Sequence, residues 1–266
     1  MRPDLVIGGF LPLESLLHRL DPRTKLIGLL VMVGAVFISP SMSGIAASTA
    51  AVVCLAVLSR AGWKIWWYAL ARFFWMLIIV LGVNLLFRQD GRPVFAGEIE
   101  LPVTWEGVER SVGLTAQLGL AIVLSLIVTL TTSPSQLARA FECLGRPLER
   151  LGVPVRDLTM TVLLAMRFLP LLHHELQTIV DAQKSRGVEL AAGTPVFRAR
   201  NFVSVLVPAL SGALRRADIL ATAMTARGFR PDRERSAYRV LHFSPLDYLS
   251  WICLGLFFLG KIIFLG

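Results

Sequence analysis

The stretch VGLTAQLGLAIVLSLIVTLTT, Val112–Thr132, contains no charged side chain. An α-helix rises about 1.5 Å per residue, and the hydrocarbon core of a bilayer is about 30 Å thick. The run is therefore long enough to cross a membrane as one helix. The whole chain agrees with this, since it is 55% hydrophobic and only 17% charged, against roughly a quarter charged in soluble domains. The sequence predicts an integral membrane protein.

Four further apolar runs indicate that the chain crosses the membrane more than once. They are Leu26–Ile38, Ile45–Leu58, Phe73–Phe87 and Leu246–Leu265. The first two are short by themselves and need flanking residues, and the break at residues 39–44 between them predicts a tight helical hairpin. The last run contains only two charged residues, Asp247 and Lys261. We therefore expect about five transmembrane helices.

Residues 133–242 differ in character, because they combine long apolar stretches with many charged residues. Within Leu169–Val180 the apolar positions recur at helical spacing, which is typical of a helix with one apolar and one wet face. We expect amphipathic helices near or under the membrane here, rather than further spans. Residues 88–111 are expected to form an acidic loop.

The distribution of Lys and Arg predicts the orientation, because cytoplasmic segments of membrane proteins are enriched in both. The N-terminal segment, the turn at residues 60–72 and residues 133–242 carry nearly all of them, whereas the 88–111 loop is net acidic. The N-terminus is therefore expected in the cytoplasm. The same bias accounts for the net charge of +9. Nucleic-acid binding is not predicted, since no aromatic-basic stacking pattern accompanies the charge.

Two short motifs late in the chain repeat one pattern. AQKSRG, ending in Arg186 and Gly187, and AMTARG, ending in Arg227 and Gly228, both read Ala-x-x-(Ser/Ala)-Arg-Gly. Either motif alone is explained as a helix end, because Gly favours the left-handed backbone of a C-terminal cap and Arg complements the helix dipole. The repetition in identical register, each time after a proline-containing apolar segment, indicates two equivalent docking points.

Arginine suits such docking, because its planar guanidinium offers five donors to carboxylates and carbonyl oxygens, and the small neighbours allow another surface to approach. A cytosolic partner that is itself a dimer, or two similar partners, would match the pair. The candidate contact residues are Ala182, Ser185, Arg186, Gly187, Ala223, Ala226, Arg227 and Gly228.

The sequence predicts no catalytic residue, metal site or cofactor. His173 and His174 are adjacent on a helix, so their side chains point about 100° apart and do not face one ion. The three cysteines have no CxxC neighbour. Cys54 and Cys253 fall within apolar runs, and we expect both to be small buried residues. No Walker A motif occurs, so an ATP site would belong to another chain.

Several segments, in this order, resemble the transmembrane T component of energy-coupling factor (ECF) transporters, the EcfT/CbiQ-type family. They are Ser15–Leu26, Ser133–Arg139, Leu151–Asp157, Arg167–Pro170, Glu175, Ala182–Gly187, Pro208 and Ala223–Gly228. The resemblance covers nearly the whole chain except residues 88–111. It departs mildly at Ser185, where the family usually has Ala, although a small residue is retained.

From the apolar runs and the charge distribution, together with this resemblance, we expect the fold class to be an all-α integral membrane protein, with about five transmembrane helices plus a cytoplasmic coupling domain of amphipathic helices. The expected domains are residues 1–132 with the first four spans, 133–242 as the coupling-helix domain, and 243–266 as the last span. The resemblance also implies a multi-pass protein of a prokaryotic plasma (inner) membrane.

The resemblance further implies a non-catalytic scaffold that couples two ABC-type ATPase subunits to a small substrate-binding membrane subunit, the S component. In that family the Arg of each Arg-Gly motif docks in a groove of one ATPase, and these roles fall here on Arg186 and Arg227. The transported substrate would be a vitamin or a transition-metal ion. Two alternatives stay open: a permease with its own substrate site, and an intramembrane metal-dependent enzyme using His173, His174 and Glu175.

Overall fold

A computed structural model of the chain describes residues 15–38, 41–87, 93–96, 99–188, 194–230 and 243–265. The chain forms two compact units. The first combines Met1–Leu144 with Leu241–Gly266, and the second is Gly145–Val240. The elements, in chain order, are α1 Pro22–Ile38, α2 Met42–Leu58, α3 Trp63–Phe87, β1 Pro93–Ala96, β2 Ile99–Thr104, α4 Trp105–Thr131, α5 Pro134–Glu149, α6 Val155–Ser185, α7 Pro195–Ala226 and α8 Pro245–Leu265.

The helices of the first unit confirm the all-α membrane fold. Within the described residues, three segments are long and apolar enough to cross a membrane: Ile65–Leu85 in α3, Gly107–Thr131 in α4 and Pro245–Ile263 in α8. Helices α1 and α2 have 17 residues each, which corresponds to roughly 26 Å. Both extend beyond their apolar runs at the N-terminal end, as the shortness of those runs required.

Residues 88–111 are not a loop throughout, and that prediction was wrong in part. Strands β1 and β2 pair antiparallel as a hairpin, and α4 begins at Trp105. The segments PVFA and IELPVT are rich in β-branched and aromatic residues, which favour strands. Glu109 falls near the start of α4, where negative charge complements the helix dipole. Acidic composition alone did not distinguish a hairpin and a helix start from a loop.

The core of the first unit surrounds α1, which packs against α2, α4 and α8. Its buried centre is formed by Met32 and Val36 of α1, Val52 of α2 and Leu124 of α4. Because this core is apolar, polar groups that are buried in it need hydrogen-bond partners.

The C-terminal end of α1 receives such partners from two other helices. Lys261 of α8, only 2% exposed, donates from Nζ to the carbonyl oxygen of Ala35 and to Ser48 Oγ, the latter at 2.7 Å. Gln117 Nε2 of α4 donates to the carbonyl oxygen of Val36 at 3.0 Å. The last four carbonyls of a helix have no intrahelical donor, and a cation there also complements the helix dipole. Lys261, the lone lysine of the last span, therefore provides a hydrogen-bond donor for the carbonyl groups at the end of α1.

The opposite end of α1 is held by the aspartate of the same span. Asp247 is fully buried and accepts from the backbone N–H of Asp21 at 2.9 Å and of Ser244 at 2.7 Å. Lys25 Nζ donates to the carbonyl oxygen of Thr131, the last residue of α4, at 2.9 Å. Charged side chains thus join the starts of α1 and α8 to the end of α4.

Two cysteines differ from expectation. Cys54 and Cys253 are exposed on the surface of the protein, so the prediction that they are buried was wrong. Both line an apolar cavity among α1, α2, α4 and α8. An apolar run indicates that its residues lie either in the lipid or in the protein core. It does not show which of these two surroundings a particular face of the helix contacts.

The second unit contains the end of α5 and the long helices α6 and α7, with Pro170 inside α6 and Pro208 inside α7. Neither helix is among the segments suited to cross a membrane. This compact unit starts at Gly145, inside α5, whereas the sequence interpretation began the coupling region at residue 133. The side of the membrane on which it lies stays a prediction.

Candidate docking ends of helices α6 and α7

Helix α6 ends in a Schellman motif built by the first Arg-Gly pair. Arg186 is the C-cap, and Gly187 follows with φ +83°. The N–H of Gly187 donates to the carbonyl oxygen of Lys184 at 2.9 Å, and that of Val188 to Gln183 at 3.1 Å. These two bonds satisfy carbonyls that the helix leaves without donors, and the positive φ explains why glycine stands there.

Helix α7 ends with the same geometry. Arg227 is the C-cap, and Gly228 has φ +75°. The N–H of Gly228 donates to Thr225 at 2.9 Å, and that of Phe229 to Met224 at 3.0 Å. The repeated sequence motif is therefore also a repeated structure, bond for bond.

The two ends also match in exposure. In each motif two positions are half-buried. One is the residue four positions before the glycine, Gln183 or Met224, and the other is the residue after the glycine, Val188 or Phe229. All eight predicted contact residues are exposed: Ala182, Ser185, Arg186, Gly187, Ala223, Ala226, Arg227 and Gly228. Within the described part of the chain, neither arginine side chain has a hydrogen-bond or ion-pair partner.

The end of α6 is attached to α7 at the proline of α7. Pro208 has no N–H, so the carbonyl oxygen of Ser204, four residues earlier, lacks its helical donor. Gln183 Nε2 donates to that oxygen at 3.3 Å. Because Gln183 is also the acceptor for Val188 in the Schellman motif, one residue belongs both to the helix end that carries Arg186 and to the contact with α7.

A second contact lies further along the two helices. Glu175 Oε2 of α6 pairs with Arg216 Nη2 of α7 at 2.6 Å, and about a third of each side chain is exposed. Gly212 leaves room for this carboxylate, since a Cβ built at Gly212 would lie 3.0 Å from Glu175 Oε1. Because both side chains are partly exposed, the ion pair contributes little stability. The pair nevertheless marks which turn of α6 lies against which turn of α7.

These contacts show that α6 and α7 are antiparallel, because Gln183 meets Ser204 whereas the earlier Glu175 meets the later Arg216. The exposed arginines therefore lie toward opposite ends of the helix pair. Arg186 is next to the Gln183–Ser204 contact, and the stretch from Ser204 to Arg227 corresponds to about 35 Å along a straight helix. The pair presents two equal ends, widely separated.

Most of the chain is similar in sequence to known proteins. A family model described as "Cobalt transport protein", CbiQ, matches residues 14–238. The chain belongs to the CbiQ family. The matched residues include α1 to α7 and both Arg-Gly ends.

Individual members with similar sequences carry the name energy-coupling factor transporter transmembrane protein EcfT. The protein from Leuconostoc gelidum subsp. gasicomitatum is 37% identical over 251 residues, 94% of this chain and 93% of that protein. That from Limosilactobacillus fermentum is 33% identical over 267 residues, 99% and 100% of the two chains. That from Thermosediminibacter oceani is 34% identical over 260 residues, 97% of each. The similarity thus extends over both compact units.

The histidines of α6 lie away from any metal-binding arrangement in the described residues, where no group of three His, Cys, Asp or Glu side chains could hold an ion. His173 Nε2 is 2.9 Å from Gln177 Nε2, one helical turn later and exposed. Glu175 is engaged with Arg216. In this CbiQ family member, His173 therefore contacts a residue on its own helix and Glu175 contacts one on α7.

Replacing Gly228 with alanine is expected to loosen the end of α7. A Cβ in the left-handed region costs about 1 kcal/mol, so the amide of Phe229, bonded to Met224, should exchange hydrogen about fivefold faster. Gly260→Ala is the matched control, because it adds the same Cβ in α8 without a positive φ and with open space around it. Hydrogen exchange by mass spectrometry measures both variants. Unchanged protection in Gly228→Ala would contradict the prediction.

Sequence reasoning found the helix ends but missed Gln183, Ser204, Gly212 and Arg216. Pro208 does signal an unsatisfied carbonyl four residues earlier. The donor, however, comes from another helix, and a single sequence carries no information on which residue that is.

Proposed function

We propose that this protein is the transmembrane scaffold of an energy-coupling factor importer, coupling ATP hydrolysis in two ABC-type ATPase subunits to a small substrate-binding membrane subunit. The observation that carries the proposal is the pair of identical, exposed Arg-Gly helix ends at Arg186 and Arg227. The printed names of the relatives and of the family, which concern energy-coupling factor and cobalt transport, support the same function.

The geometry of the ends suits docking rather than catalysis. Each guanidinium stands on a helix cap without a partner among the described residues, and the neighbouring Ala and Ser side chains are small. A groove that offers carboxylate or carbonyl oxygens would bind five donors in a planar fork. Two equal ends fit two equal grooves, as in a pair of ATPase subunits. A separation of about 35 Å along α7 allows each end to contact a different subunit.

The proposed mechanism follows from that attachment. When ATP draws the two ATPase subunits together, the helix ends carrying Arg186 and Arg227 move with them. Helices α6 and α7 are joined through Gln183–Ser204 and Glu175–Arg216. Displacement of either helix end would therefore change the angle at which the two helices cross. Exposed apolar residues on both helices, including Leu158, Leu169, Phe202 and Leu214, would pass this motion to the substrate-binding subunit and reorient it.

In this proposal the chain itself is not an enzyme and holds no cofactor, since ATP hydrolysis takes place in the partners. The proposal includes a prokaryotic plasma membrane as the location, in keeping with the bacterial relatives. It also includes a cytoplasmic N-terminus, which the distribution of Lys and Arg supports. The cargo is a vitamin or a transition-metal ion, bound by the small subunit and not by this chain.

Purification of the tagged full chain from its native membranes in a mild detergent tests the proposal. We expect two ATPase subunits and one small membrane protein for each copy of the chain, and no substrate binding by the isolated chain. High-affinity binding of a vitamin or metal ion by the chain alone would instead identify a permease with its own site. Recovery of the chain without any ATPase, under conditions that preserve other ABC transporters, would reject the scaffold function.

A further inference from the structure

The first unit contains a partly open cavity of about 500 Å³ among α1, α2, α4 and α8, lined almost wholly by apolar side chains. Its walls include Leu29 and Met32 of α1, Leu55 of α2 and Phe257 of α8. A cavity with such walls does not hold ordered water. Because the cavity is partly open, an apolar molecule from the surroundings can enter it, and the apolar walls favour such an occupant over water.

The polar groups of the cavity are gathered at one end. Thr24 and Lys25 lie in the first turn of α1, Thr131 at the end of α4 and Ser250 near the start of α8. The bond from Lys25 Nζ to Thr131 brings these helix ends together. Thr24 is only 6% exposed, and its hydroxyl has no hydrogen-bond partner among the described residues. A buried hydroxyl without a partner is costly, so it indicates a ligand with a polar group at this end.

The length of the cavity matches one leaflet of a bilayer. Along α8 the lining residues run from Leu246 to Phe257, which corresponds to about 16 Å of helix. Half of the hydrocarbon core is about 15 Å. The polar end coincides with the helix termini and the apolar part extends toward the middle of the helices. This is the profile of a single lipid chain with its ester group at the interface.

We propose that this cavity is a specific lipid site, which binds one acyl chain of a phospholipid from the leaflet at the N-terminal end of α1. The hydroxyl of Thr24 donates to an ester oxygen of that lipid, and the ammonium of Lys25 lies beside it. The chain fills the apolar space between α1 and α8. The bound lipid thereby becomes part of the packing of the helix bundle, independent of the ATPase contacts at α6 and α7.

Gly28 provides the sharpest test, because it lines the cavity and a Cβ built there meets nothing within 4 Å. Leucine at this position would occupy the space of the acyl chain. Gly34 is the matched control on the same helix, since it also has open space but does not line the cavity. Native mass spectrometry of the full chain after extensive detergent exchange would count the bound lipids, with extracted lipids identified separately.

We expect about one phospholipid per chain in the unmodified protein and in Gly34→Leu, and at least a tenfold reduction in Gly28→Leu. Thr24→Val preserves side-chain volume and removes no hydrogen bond present among the described residues. We therefore expect this variant to fold normally and to retain several-fold less phospholipid than the unmodified protein. Equal retention in all variants, or no retained lipid in the unmodified protein, would overturn the proposal. So would recovery of a free fatty acid alone, or displacement of the lipid by a protein segment in the purified complex.

Discussion

Charge reversal at both docking ends, Arg186→Glu with Arg227→Glu, is expected to abolish binding of the ATPase subunits while the protein still inserts into the membrane. Replacing a contact arginine in the centre of an interface commonly weakens the binding free energy by about 2 kcal/mol or more. Loss of both corresponds to roughly a thousandfold weaker binding, and loss of one to roughly thirtyfold. Because each guanidinium is exposed and unpaired among the described residues, the substitutions disturb no contact of the fold seen there.

The control is Arg150→Glu with Arg200→Glu, which changes the net charge equally in the same compact unit at two other exposed arginines. Co-purification of ATPase with the tagged chain and size-exclusion profiles in detergent measure the outcome. We expect the control to retain the ATPase subunits. Stoichiometric ATPase on the Arg186→Glu, Arg227→Glu protein would contradict the docking role, whereas equal loss in the control would indicate a general charge effect.

Removal of the buried carboxylate by Asp247→Ala is expected to give the largest loss of stability in the chain, about 3–5 kcal/mol. The variant leaves the N–H groups of Asp21 and Ser244 without their acceptor. It also removes a negative charge that acts on Lys25, which is only 7% exposed. A buried donor or cation without its partner carries the full cost of leaving water.

We expect the melting temperature in detergent to fall by about 10 °C, as measured by the unfolding of the purified chain. The melting temperature of Asp247→Asn should lie between those of the unmodified protein and Asp247→Ala, because the amide oxygen of asparagine still accepts one hydrogen bond. Glu109→Ala is the control, since it removes an exposed carboxylate from α4 of the same unit and should cost less than 1 kcal/mol. A melting temperature for Asp247→Ala equal to that of Glu109→Ala would refute the assigned role.

Much of the fold was predictable because the bilayer imposes a simple rule on sequence. A charge-free run such as Val112–Thr132 must satisfy its backbone internally, and a helix is the available solution. The hairpin of β1 and β2 escaped prediction, because short strands carry only a weak preference that depends on their neighbours. The start of α4 at Trp105 was missed for a related reason, since the charged first turns of a helix resemble an acidic loop.

The candidate docking ends were predictable residue by residue, because a helix cap is a local structure. Gly187 and Gly228 have the positive φ that the motif implies, and Arg186 and Arg227 are exposed. Their opposite placement was not predictable. It depends on the antiparallel packing of α6 and α7, which contacts such as Gln183–Ser204 establish between residues on different helices.

By itself the sequence determined which segments are apolar enough for a membrane and where two helices end in an exposed arginine. Both properties are local, arising from hydrophobicity along a run and from the backbone freedom of glycine. The tertiary structure alone decided where the buried polar groups lie. Lys261 meets the carbonyl end of α1 and Asp247 meets Asp21, whereas Thr24, whose hydroxyl has no partner among the described residues, lines the cavity. Such partners come from helices far apart in the chain, so packing decides them and no spacing in the sequence reveals them.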